Sequence, residues 1–155
     1  AELALAVGSH RVPQPTPRVA SKDVDGFERL LTPTHSMTSP DGGAVAAFTC
    51  IPEHLQETGL LFGGVQAMMH ERAAGLIAHQ LRPAARCVKM RVNYMASSGL
   101  GDELEAHVSS AVAWRGEGLT ATSQLLKMPG DVAGHSSCAA RGGLRSEAEM
   151  IFIAP

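Results

Sequence analysis

Residues 59–78, Gly-Leu-Leu-Phe-Gly-Gly-Val-Gln-Ala-Met-Met-His-Glu-Arg-Ala-Ala-Gly-Leu-Ile-Ala, constrain the fold of this chain more than any other stretch. They give about five turns of mostly small and apolar residues with no proline, long enough for a central helix. The pair Gly63-Gly64 suits a tight helix start and leaves backbone N–H groups uncovered. At ~100° per residue, Leu61, Val65, Met68, Met69 and Leu76 form one bulky apolar stripe. Glu71, the only acid of the stretch, points elsewhere, among Gly64, Ala67, Ala74, Gly75 and Ala78. That face of minimal side chains lets another molecule come close to a carboxylate.

The chain of 155 residues reads as one domain, large enough for a core without disulfides or metal. A formal charge of −2 offers no basic footprint for nucleic acid. No apolar run approaches the ~18–20 residues of a membrane span, and residues 1–7 lack the basic start of a secretory signal. Cys50, Cys87 and Cys138 are far apart and odd in number, which suits reduced thiols in a cytoplasmic protein. Neither the histidines nor the cysteines have metal-ligand spacing, so no metal or cofactor is expected. A Gly-x-Ser-x-Gly elbow is missing, which argues against an α/β-hydrolase.

Along the chain, Pro13, Pro15 and Pro17 mark residues 1–22 as a flexible N-terminal arm. Asp23 or Asp25 suits the cap of a short helix through Phe27, Leu30 and Leu31, stopped by Pro33. Two β runs at 34–39 and 44–51, separated by Pro40-Asp-Gly-Gly43, read as a hairpin. Arg82-Pro83 ends the long helix. The period then changes to two: Val88, Met90, Val92 and Tyr94 alternate with Lys89, Arg91 and Asn93. Further strands are expected at 104–114, 119–128 and 132–141. The domain is taken as residues 23–142, and 143–155 as a C-terminal tail whose Ile151-Phe-Ile153 docks on a neighbour. The expected architecture is α+β, a curved antiparallel β-sheet wrapped around one long central helix. Its two edges and single covering helix predict self-association.

Over about residues 34–142 the sequence resembles the hotdog-fold acyl-CoA thioesterases, of the 4-hydroxybenzoyl-CoA and phenylacetate-pathway type. The resemblance rests on Gly59-Leu-Leu-Phe-Gly-Gly64 at the helix start, Glu71 nine residues after Phe62, and Val92-Asn-Tyr94 at a strand end. Gln56, six residues before Phe62, stands where some members place a glutamine that holds the thioester carbonyl. Phe62 replaces the family's histidine, and Gly75 stands where a Ser or Thr is often found one turn after the acid. The resemblance implies a hotdog fold, a homodimer or homotetramer, and an acyl-CoA or acyl-carrier-protein substrate. It also implies a site in which one subunit supplies the acid and another the glutamine and glycine turn. Phe62, Met68, Gly75, Asn93, Ser97 and Ser98 are the expected substrate contacts.

Thioester hydrolysis needs a stabiliser for the developing oxyanion and a group that attacks or activates water. The N–H groups of Gly63 and Gly64 at a helix N-terminus suit the first role, with Gln56 as a further donor. Glu71 suits the second, as base or as nucleophile through a mixed anhydride. Plainer readings stand beside these. The glycine pair also serves close helix–sheet packing, and Glu71 an ion pair with Arg91 or with Arg72 of another subunit. His70, ~100° round the helix from Glu71, reads as a packed or surface histidine. Lys89, Arg91 and Asn93 read equally as a solvated strand face. With Phe62 in the histidine's place, the alternative function is a non-hydrolytic hotdog protein that binds or tailors an acyl or polyketide-like ligand.

Overall fold

The computed structural model describes residues 29–114, 118–129 and 143–154. The N-terminal arm, the proposed caps Asp23 and Asp25, the strand expected at 132–141 and Cys138 lie outside them. Six strands form one antiparallel sheet: β1 (His35–Thr38), β2 (Ala44–Thr49), β3 (Arg86–Tyr94), β4 (Glu103–Trp114), β5 (Gly118–Lys127) and β6 (Leu144–Ile153). Between β2 and β3 runs one long helix, α1 (Gly63–Leu81), around which the sheet curves. The strand order is β1-β2-β4-β5-β6-β3.

The hairpin forms where expected, with Ser39 N–H donating to Gly43 O at 2.9 Å. Gly42 takes φ +86°, the left-handed conformation that suits glycine in such a turn. Helix α1 begins one residue after Phe62, whose N–H donates to His54 O at 3.0 Å and so leaves the chain extended at φ −67°, ψ 132°. It ends at Arg82, whose N–H closes the last turn on Ala78 O, immediately before Pro83.

Two expectations are corrected. Residues 143–155 are not a tail, because β6 pairs with β5 along one side and with β3 along the other. Its Ser146, Ala148, Met150 and Phe152 are buried and alternate with Glu147, Glu149, Ile151 and Ile153, so one face closes the core. The helix stripe is also rotated. Val65, Gln66, Met69, His70, Ala73, Ala74, Gly75, Ile77 and Ala78 are the buried positions of α1, whereas Met68 and Leu76 are only partly covered. Ala74 and Ala78, expected beside an open Glu71, are therefore part of the packed surface. Small residues there allow the helix backbone to approach the sheet, whose Phe48, Leu104, Leu125, Met150 and Phe152 supply the bulk.

Strand β3 is the longer edge, and it carries an irregularity between Cys87 and Lys89. The extra residue breaks the strict alternation. Val88 turns out to solvent at 59% exposure, while Cys87, Met90 and Val92 pack against the core.

Candidate active site

Two loops meet at the start of α1. Gly59, at φ +78°, closes a turn in which Gln56 N–H donates to Leu60 O at 2.8 Å and Gly59 N–H to Gln56 O at 2.9 Å. Leu60 forms an isolated bridge to Gly99, and Leu61 N–H donates to Ser98 O at 2.8 Å. The segment after β3 is thus stitched to the segment before α1. The first bonds of the helix run from Val65 and Gln66 N–H to Phe62 O, at 3.0 and 3.2 Å. Gly63 and Gly64 N–H precede that ladder, as the donors at any helix start do.

An aromatic ring lies against each glycine of the pair. A Cβ on Gly64 would stand 2.7 Å from Phe62 Cε1, and one on Gly63 would stand 3.4 Å from Tyr94 Cζ. Tyr94 also donates its hydroxyl to Gly63 O at 2.9 Å. Neither glycine has a positive φ, and only at Gly64 would a Cβ stand closer than ordinary contact. The rings are about half exposed, Phe62 at 55% and Tyr94 at 50%.

Glu71 lies elsewhere, on the wall of a cleft of about 890 Å³ between α1 and the β3–β6 margin. Met68, Gly75 and Leu76 line it from the helix, and Cys87 and Phe152 from the strands. Glu71 takes no part in the Lys127–Asp102 ion pair or the His107–Glu105 contact, and Arg72 and Arg86 stand on the same cleft wall. Burial, and then the charge of Glu71, push the Cys87 thiol above its ordinary pKa. Burial therefore keeps the thiol, whose Sγ lies 3.4 Å from Lys89 O, a poor nucleophile. Cys50 is pushed up to about 11, chiefly by burial, and is equally inert.

The structure sets the sequence candidates in two groups. Phe62, Gly63 and Gly64 form the helix start, with the Gln56 backbone in the turn before it; Met68, Glu71 and Gly75 share the cleft. Glu71 follows Gly63 by eight residues, about 12 Å along the axis. One candidate stands apart from both. Asn93 lies on the outer face of the sheet, in a polar depression with Arg91, Gln124, Glu147 and Glu149. Ser98 is buried, and its Oγ is enclosed without a hydrogen-bond partner, while its carbonyl accepts from Leu61 N–H beside the helix start. Tyr94, read from sequence as the end of the Val92-Asn-Tyr94 motif and not as a site candidate, stands at the helix start against Gly63.

His70 is the buried rather than the surface histidine. Its Nδ1 and Nε2 each lie 2.9 Å from a serine Oγ, of Ser123 and Ser146 respectively. Among the described residues no group of three or more His, Cys, Asp or Glu side chains is placed to hold a metal ion, and no helix is long and apolar enough to cross a membrane.

No protein-family model matches the sequence, and no curated protein matches it. Solved structures do. A point mutant of the phenylacetic acid degradation protein PaaI from Thermus thermophilus is 20% identical with a TM-score of 0.66, over 84% of this chain and 100% of that one. Zebrafish thioesterase superfamily member 2 is 18% identical with a TM-score of 0.67, over 86% and 89%. A hypothetical thioesterase from Streptococcus pneumoniae, solved with coenzyme A, is 14% identical with a TM-score of 0.65, over 84% and 93%. These likenesses establish the architecture: one helix in a curved six-stranded sheet is the hotdog fold, the fold expected from the resemblance.

Proposed function

We propose that this hotdog-fold chain is a thioesterase that hydrolyses an acyl thioester carried on coenzyme A or on an acyl-carrier protein. Glu71 carries the proposal: a half-buried carboxylate on the wall of a cleft that Arg72 and Arg86 line together with apolar side chains. The glycine turn supplies the complementary group, amides that precede the helical ladder and carry the positive end of the helix dipole. Glu71 takes a proton from water as the water oxygen attacks the thioester carbon. Gly63 and Gly64 N–H receive the oxyanion. The C–S bond then breaks, and the leaving thiolate takes the proton back from Glu71, giving an acid and a free thiol. Attack by Glu71 itself, through a mixed anhydride, reaches the same products.

The coenzyme A in the streptococcal relative supports a CoA thioester as the first substrate to try. The spacing of the two groups supports a site shared between subunits, with Glu71 of one facing the glycine turn of another, in a homodimer or homotetramer. A second reading, an acyl binder without hydrolysis, draws on Phe62, whose aromatic ring replaces a polar side chain beside the amides.

A panel of acyl-CoAs with a free-thiol readout tests the proposal. At least one should release thiol, and Glu71→Ala should lower that turnover at least ~100-fold with an unchanged melting curve. Full activity in that variant would remove Glu71 from the mechanism. Thermal stabilisation by acyl-CoA without thiol release would favour the binder.

A further inference from the structure

The contact between Tyr94 and Gly63 reaches further than packing. Gly63 O and Gly64 N–H belong to one planar peptide unit. A hydroxyl bonded to that oxygen at 2.9 Å therefore holds the plane that aims the N–H. It also polarises the unit: a hydrogen bond accepted at the oxygen strengthens the donor at the other end, by roughly 10–30%. The ring limits the movement of the same unit, because Tyr94 Cζ, Cε1 and Oη stand 3.4, 3.5 and 3.6 Å from the place of a Cβ on Gly63. A Cβ at 63 would meet the ring that carries the hydroxyl at ordinary contact distance. Tyr94 reaches this position from the last residue of β3, and the next segment is tied back through Ser98 O to Leu61 N–H. Sheet and helix start are thus joined at the peptide that carries the Gly64 N–H.

We infer that Tyr94 is a positioning residue of the oxyanion-binding turn, acting through the Gly63–Gly64 peptide, and that Gly64 N–H is the donor it sharpens. The inference rests on the hydrolytic reading above for its catalytic consequence, but not for its structural one. Tyr94→Phe tests both, since it keeps the ring against Gly63 and removes only the hydroxyl. In the free, ¹⁵N-labelled protein the Gly64 amide proton should move upfield, while that of Gly42 in the distant hairpin stays in place. On the best acyl-CoA, kcat should fall about fivefold, less than the loss of a direct oxyanion donor, with KM unchanged. An unmoved Gly64 resonance overturns the inference. So does a rise in KM at constant kcat, which would make Tyr94 a substrate contact. Failure of the wild-type protein to release thiol would sink the hydrolytic reading alone, because the Gly64 resonance still decides what Tyr94 does.

Discussion

A histidine with no solvent contact and no charged partner has little choice of protonation state, and His70 is such a residue. Ser146 Oγ donates to Gln66 Oε1 at 3.0 Å, so it accepts from His70 Nε2–H; Nδ1 is left to accept from Ser123. The neutral ring thereby satisfies both nitrogens in the core. Burial lowers its pKa from 6.5 to about 4. Below pH 6.5 the unfolded chain binds a proton that the folded chain refuses, so stability falls as pH drops and levels off near pH 4. The lowered pKa corresponds to a loss of about 3 kcal/mol over that window. Urea midpoints should thus decline between pH 7 and pH 4.5, and the His70 ring resonances should not titrate above pH 5. A ring that titrates near 6.5 would contradict the buried assignment. Helical period alone separates His70 from Glu71, and that much was legible. The serines were not, because they come from strands 53 and 76 residues further along.

At the scale of elements, the long helix, the hairpin and the strands through β5 were readable, since each carries its own period and its own turn residues. Strand β6 was not recognised, because its outward Arg145, Glu147 and Glu149 suggest a solvated tail. The alternating Ser146, Ala148, Met150 and Phe152 make an inner face only once β5 and β3 lie on either side. The glycine pair was legible as a helix start but not as a seat for two rings. That seat predicts how the start responds to substitution. Gly64→Ala favours the helix by up to about 1 kcal/mol but sets a methyl 2.7 Å from Phe62 Cε1, and the half-exposed ring must swing away. The melting temperature should hold or rise while KM for the thioester increases. In a Phe62→Ala background the same substitution should leave KM alone, a coupling of about 1 kcal/mol in a double-mutant cycle. Equal effects in both backgrounds would show that Gly64 acts without the ring.

For the whole molecule, the proposed division of the site between two copies would leave no mark in a single sequence beyond its two halves, and Glu71 and Gly63 read as neighbours only by family resemblance. The fold gives a reason for the division. The glycine turn and the acid lie about 12 Å apart along one axis, and β3 is a nine-residue edge with Val88 and Tyr94 exposed. An edge of that length is normally paired or covered, and a two-fold partner across it would bring a second helix to the first. Complementation tests this. Gly63→Pro removes one amide donor while suiting the first helical position, since Phe62 already has the extended conformation that precedes proline. Glu71→Ala removes the acid. Each variant alone should be nearly inactive. Unfolded together and refolded as an equal mixture, half of the dimers are hybrids, and each hybrid holds one site with an intact acid facing an intact turn. Activity should then return to about a quarter of the wild-type value, as statistical pairing in a two-fold dimer requires. A site contained within one chain would give no recovery, because every chain in the mixture lacks one of its two halves.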